Sequence, residues 1–128
     1  MRGTTTPAVL VCEDDPIQAK VLAEGLMRRG MTVIGPCATP EDAKAQAERH
    51  EVSAALLDVS LEGGSCADAA SVLAGRGVPF AFITGYSTDA ASTLRKFSDH
   101  LVVPKPIPPD LLDQIIDTLI PPAALPAE

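Results

Sequence analysis

Short uninterrupted apolar runs alternate along this chain with longer stretches whose apolar positions recur at helical spacing. Ala8-Val9-Leu10-Val11-Cys12 is the first run, and it ends abruptly at Glu13-Asp14-Asp15. A run without polar alternation marks a strand covered on both faces, as in a parallel sheet. Asp15-Pro16 reads as a helix cap followed by proline at the first helical position. Ile17, Val21, Leu22, Gly25 and Leu26 supply that helix with a buried stripe, and Gly30 stops it. Met31 to Ile34 predicts a second strand, and Thr39-Pro40-Glu41-Asp42 a capped, acidic start to a helix that runs to about His50. Ala54-Ala55-Leu56-Leu57 is a third strand that delivers Asp58 at its end. Glu62-Gly63-Gly64 predicts a loop before a helix from about Cys66 to Ala74. Pro79 to Ile83 is a fourth strand ending at Thr84-Gly85, and a weaker helix covers Thr88 to about Phe97. Leu101-Val102-Val103 is a fifth strand ending at Pro104-Lys105-Pro106. The clearest helix is the last, where Leu111, Leu112, Ile115, Ile116, Leu119 and Ile120 repeat at i, i+1, i+4 and i+5.

Five strand–helix units with short connections predict an α/β fold: one right-handed, doubly wound (βα)5 parallel sheet. The 128 residues suit a single domain, with a core over about 8–120. Residues 121–128 hold three prolines and no core pattern, and read as a frayed end or linker stub. Apolar residues make up 46% of the chain, enough for an ordinary core without disulfides or structural metal.

A formal charge of −7 argues against a nucleic-acid partner, which needs a Lys/Arg surface. No apolar run approaches the roughly 18 residues of a membrane span, and Met1 to Thr6 lacks a signal-peptide layout, so the expected location is the cytoplasm. Cys12, Cys37 and Cys66 form no C-x-x-C pair and read as reduced core or surface thiols. His50 and His100 stand alone without ligand-like spacing.

The candidate chemistry lies where doubly wound sheets carry it, at the carboxyl ends of the strands. Strand one presents Glu13 and Asp14, strand three Asp58, strand four Thr84, and strand five Lys105. Each residue alone is an ordinary loop or turn residue; their joint occurrence at successive strand ends is the signal. Three carboxylates about 4–5 Å apart repel by roughly 4 kcal/mol per pair at an effective dielectric near 20. A hard divalent cation compensates such a cluster, and Mg2+ suits a site that also meets a phosphate. An aspartate nucleophile, a hydroxyl and an ammonium then fit phosphoryl transfer to form an acyl phosphate.

With these motifs in hand, the chain resembles the response-regulator receiver family of two-component signalling, whose fold is flavodoxin-like. The resemblance runs from about Ala8 to Ile120 on Glu13-Asp14-Asp15-Pro16, Leu57-Asp58-Val59-Ser60-Leu61, Ile83-Thr84-Gly85 and Lys105-Pro106. It implies Asp58 as phosphoacceptor, and Glu13, Asp14, Asp58 and the Ser60 backbone carbonyl as the Mg2+ site. It implies Thr84 and Lys105 as the groups that follow the phosphate, and a cis bond at Lys105-Pro106. The implied donor is a histidine kinase or histidine phosphotransfer protein, and the output a partner protein or domain. The Phe82-Ile83-Thr84-Gly85-Tyr86 stretch resembles alphaproteobacterial stand-alone and kinase-fused receivers.

Three departures bear on this. The usual aromatic switch position is Val102, leaving Tyr86 as the candidate mobile ring. The stretch from Asp58 to Thr84 is shorter than is common by about one helical turn. Glu62-Gly63-Gly64 replaces the usual proline-containing turn. The rival readings are an unphosphorylated pseudo-receiver that binds protein and a phosphatase of the haloacid dehalogenase type. Ser60 stands where the phosphatase needs its second Asp, and the acidic pair comes first in the chain where the phosphatase has it last. A flavin-binding domain is rejected because Glu13-Asp14-Asp15 would repel the flavin phosphate.

Overall fold

A computed structural model describes residues 6–61, 63–85, 95–97 and 100–121. Five strands, β1 (Ala8–Cys12), β2 (Thr32–Cys37), β3 (Ala54–Asp58), β6 (Phe80–Thr84) and β7 (Leu101–Pro104), form one parallel sheet in the order β2-β1-β3-β6-β7. Between β3 and β6 lies a small antiparallel hairpin of β4 (Ser60–Leu61) and β5 (Gly64–Ser65). Four helices complete the described chain: α1 (Pro16–Arg28), α2 (Pro40–Arg49), α3 (Ala67–Gly75) and α4 (Pro109–Leu119).

The period of two along a strand explains why the inner strands read as continuous apolar runs. On β1, Leu10 and Cys12 point into an apolar cluster that includes Ala43 and Ala47 of α2 and Leu73 of α3. Val9 and Val11 point to the other face, where Leu22 and Leu26 of α1 meet Ile115 and Ile116 of α4. Both faces are therefore covered, and the strand carboxyl ends are left as the open edge. Arg29 fastens the ends of the two helices on that second face, bonding Asp113 at 3.0 Å and Asp117 at 2.6 Å.

Three expectations need correction. Ile17 and Val21 are not buried: they are 76% and 47% exposed, and α1 instead buries Ala19, Leu22, Gly25 and Leu26. Ile17 lies in the first turn, beyond the end of β1, and Val21 follows four residues on along the same outward side of the helix. The second strand does not stop at Ile34 but continues to Cys37, which pairs with Cys12 across a register irregularity. Proline is tolerated there because β2 is an edge strand. Gly35 has φ +99, and a Cβ on it would lie 2.8 Å from both the Cys37 nitrogen and the Val11 carbonyl oxygen, so only glycine fits. The Glu62-Gly63-Gly64 stretch is not simply a loop, since Gly64 pairs with Leu61 in the hairpin. The expected helix over 88–97 and the ring of Tyr86 fall almost wholly outside the described residues.

The bland reading of the cysteines and of His100 agrees with the structure. All three thiols are free and buried. His100 stacks on Phe80 at 4.1 Å within a group that includes Phe82 and Phe97. The bonds Gly35–Pro36 and Lys105–Pro106 are both cis. No helix among the described residues is long and apolar enough to cross a membrane.

Phe80 is 2% exposed and touches every other ring of that aromatic group. Phe80→Ala is expected to lower the unfolding free energy by about 3–5 kcal/mol, with the denaturant slope unchanged. Urea melts check this, and a loss below about 1 kcal/mol would contradict the packing described.

Candidate functional site

The β1 backbone leads straight into the acidic loop, and local bonds fix its course. The N–H of Glu13 donates to the Cys37 carbonyl at 2.8 Å, a contact made possible by the continuation of β2 past Gly35. The Asp15 N–H donates to Glu13 Oε2 at 3.0 Å. Asp15 in turn caps α1, its carboxylate accepting from the N–H groups of Ile17 and Gln18. Asp15 is thus a cap, as its place before Pro16 indicated, and its neighbours Glu13 and Asp14 are released toward the sheet edge.

Glu13, Asp14 and Asp58 each offer a carboxylate oxygen, and these three oxygens lie within 4.8 Å of one another. Glu13 and Asp58 are buried and Asp14 is exposed. Lys105 comes from the far side of the sheet. Its Nζ lies 2.5 Å from Asp58 Oδ2 and donates to Glu13 Oε2 at 3.1 Å. Nζ is also 2.9 Å from Glu13 Oε1, but off the hydrogen-bond direction, so that buried oxygen has no directed partner. The other Asp58 oxygen, Oδ1, accepts the Ser60 N–H at 3.1 Å. Thr84 ends β6 half-buried, its hydroxyl donating to the Gly85 carbonyl at 2.8 Å and its own carbonyl accepting the Lys105 N–H at 2.9 Å.

The sequence-predicted residues therefore meet at one edge of the sheet, with two exceptions. The Thr84 hydroxyl is turned onto its own loop, where it bonds the Gly85 carbonyl and none of the three acids, and Tyr86 lies outside the described residues. Val102 sits 40% exposed on β7. What sequence reasoning missed is the backbone support: the Cys37 carbonyl under Glu13 and the hairpin that carries Ser60. The Gly35-Pro36 pair was the available signal for the first.

Charge is unevenly balanced here. Three carboxylates face one ammonium, which leaves two negative charges when all are ionised. Burial pushes the Glu13 carboxyl above its usual range, and bonds from the Asp15 N–H and Lys105 only partly oppose this. Burial alone would lower the Lys105 ammonium, yet its bonds to Asp58 and Glu13 outweigh that and raise it, so it stays charged. The all-oxygen donor set and the residual negative charge fit one hard divalent cation. The nearby thiols are poor nucleophiles. Cys66 is pushed up to about 12, first by burial and then by the Asp58 charge, and the bond to Cys37 with burial raises Cys12 further.

A carboxyl whose folded pKa lies above its unfolded value favours folding only while protonated. Glu13 therefore contributes fully below its ordinary value of 4.5 and loses that contribution as pH climbs through the raised one. In chelator, the stability of Glu13→Gln relative to the natural protein is expected to increase as pH rises from about 4 to about 7. Paired urea melts measure it; a difference that stays flat or shrinks would contradict the burial of Glu13.

Comparison with known proteins agrees with this architecture. Residues 9–117 match the response regulator receiver domain family. The Transcriptional regulatory protein PdtaR of Mycobacterium tuberculosis is 30% identical over 95 residues, covering 68% of this chain and 46% of that protein. The chain thus spans about half the length of the curated relatives it matches. SdrG from Sphingomonas melonis Fr1 is similar in structure, with TM-score 0.75, 33% identity, and coverage of 92% of this chain and 98% of that one. The signal receiver domain of a modulated diguanylate cyclase from Desulfovibrio desulfuricans G20 gives TM-score 0.78 at 27% identity, covering 91% and 94%. A CheY-like receiver domain from Methanospirillum hungatei JF-1 shares the fold at TM-score 0.77 and 24% identity, covering 90% and 94%. A doubly wound sheet with an acidic cluster and a lysine at its carboxyl edge, matched over most of its length, makes this chain a member of the response regulator receiver domain family.

Proposed function

We propose that Asp58 accepts a phosphoryl group from a phosphohistidine on a histidine kinase or histidine phosphotransfer protein. The observation that carries this reading is the position of the Asp58 carboxylate: buried, yet within reach of two further carboxylates and bonded to the Lys105 ammonium. A buried aspartate with only a structural role would need no second and third acid beside it.

In the proposed step an Asp58 oxygen attacks phosphorus, the P–N bond to the donor imidazole breaks, and the bonding pair returns to that nitrogen. An acyl phosphate remains on Asp58. Glu13, Asp14, Asp58 and the Ser60 carbonyl would hold Mg2+, which when bound neutralises charge on the transferring oxygens. Lys105 would supply a further positive charge, its ammonium already bonded to Asp58. Thr84 would exchange its bond to the Gly85 carbonyl for one to a phosphoryl oxygen. The chain is a phosphoacceptor, and any catalysis is confined to its own phosphorylation and dephosphorylation.

Phosphorylation adds about −1.5 to −2 charges and new acceptor oxygens. Thr84 ends β6 and Lys105 opens the segment before α4, so their movement reaches the surface of β7 and α4. Output would pass by that surface to a partner protein or another domain of a longer polypeptide.

Intact mass with Mg2+ and a small-molecule phosphodonor tests the proposal. The natural chain should gain one phosphoryl group and Asp58→Asn none. Gain in both would remove Asp58 from the role, and gain in neither would favour an unphosphorylated binding module. Turnover of a generic phosphate ester would revive the phosphatase reading.

A further inference from the structure

The β4–β5 hairpin directly follows Asp58, and no part of the proposed chemistry uses it as a unit. Its first residue is Ser60, whose N–H is bonded to Asp58 Oδ1 at 3.1 Å. Its second, Leu61, is only 6% exposed and belongs to the apolar cluster shared with α2 and α3. Ser60 pairs with Ser65 and Leu61 with Gly64, and the strand then closes back through the Cys66 N–H onto the Val59 carbonyl at 3.3 Å. The hairpin also has an outer seat. A Cβ on Gly64 would lie 3.3 Å from Pro40 Cγ, and one on Gly63 would lie 3.9 Å from Pro40 Cδ. Both glycines have positive φ, +91 at Gly63 and +154 at Gly64, a backbone that favours residues without a side chain, and at Gly64 an added Cβ would also crowd Pro40. Pro40 itself is the first residue of α2, whose start Thr39 caps by accepting the Asp42 N–H. Because Gly64 has no Cβ, the hairpin lies close to the N-terminus of α2 while its first residue holds the backbone beside Asp58.

We infer that this hairpin is a positioning element, with Gly64 against Pro40 fixing where Ser60 stands over Asp58 and thereby setting the affinity of the acidic cluster for a divalent cation. The cation part rests on the phosphoacceptor reading; the hold on Ser60 does not. Neither Gly64 nor Pro40 meets the carboxylates, so both act through Ser60. Leu61 anchors the hairpin in the core, and the space beside Pro40 leaves little room for a side chain at Gly64. A shift of a few tenths of an ångström at Gly64 moves its partner strand, and Ser60 with it.

The test uses the full chain with Gly64→Ala, Pro40→Ala and the control Gly77→Ala. Gly77 has φ +73, and an added Cβ there would meet nothing within 4 Å, so its replacement strains the chain away from the site. Two quantities are read: Mg2+ affinity by calorimetry, and exchange of the Ser60 amide hydrogen without metal. Gly64→Ala should weaken Mg2+ about tenfold and speed Ser60 exchange about tenfold, in keeping with backbone strain at one residue. Pro40→Ala removes the seat while leaving the glycine, and should shift both quantities in the same direction by less. Gly77→Ala should lower the melting temperature and leave both quantities as in the natural chain. Should Gly64→Ala fail to fold, Pro40→Ala against Gly77→Ala decides. Unchanged Mg2+ affinity and unchanged Ser60 exchange in the folded seat variants would overturn the inference. Faster Ser60 exchange in a chain whose natural form binds no Mg2+ would support the hold on Ser60 and overturn the cation assignment.

Discussion

At the carboxyl edge of the sheet one ammonium stands among buried acids, and that imbalance governs what the rest of the chain must do. Lys105 touches both Asp58 and Glu13, each almost wholly removed from solvent. Two like charges about 4 Å apart at an effective dielectric near 20 oppose each other by roughly 4 kcal/mol, and a single lysine cannot cancel these two buried acids together with the exposed Asp14 beside them. Burying charges is costly unless they are paired and hydrogen-bonded. The site is therefore held in a condition that favours arrival of further positive charge, and the geometry that holds it is the functional content of the fold.

That geometry comes from strands that are covered on both faces and free only at their ends. Alternate residues of β1 lock into opposite clusters, so Glu13 and Asp14 leave the sheet at one defined point. The bulged edge strand then offers the Cys37 carbonyl to the Glu13 N–H, which fixes the acidic loop from the side. Asp58 ends β3 in the middle of the sheet, flanked by β1 and β6. Lys105 reaches it from the opposite edge, its own N–H tied to Thr84. The ends of β1, β3 and β7 thus bring Glu13, Asp14, Asp58 and Lys105 together, and β6 takes part through the Thr84 carbonyl that holds Lys105, although no two of these residues except Glu13 and Asp14 are close in sequence.

Much of this was legible in the sequence because buried parallel strands are unbroken apolar runs, and charged residues that terminate them stand out. Ala54 to Leu57 followed by Asp58 is such a case, and so is Ala8 to Cys12 followed by Glu13. The illegible parts depend on partners that periodicity cannot see. Ile17 and Val21 fit a helical stripe, but whether a stripe is covered depends on where the sheet ends. Gly35-Pro36 is an ordinary breaker signal that became part of a strand because β1 lay alongside to pair with it. The hairpin over 60–65 has two-residue strands, too short for any alternation to register. The direction of the Thr84 hydroxyl, set by a local bond to Gly85, was equally beyond a motif match.

The proposed function depends on the acidic cluster holding one divalent cation. Calorimetric titration of Mg2+ near neutral pH into the natural chain and into Glu13→Gln, Asp14→Asn and Asp58→Asn examines that directly. The expected result is one ion per chain, with an affinity lowered by more than about tenfold in each variant. No measurable binding to the natural chain, or equal affinity in all four proteins, would contradict it.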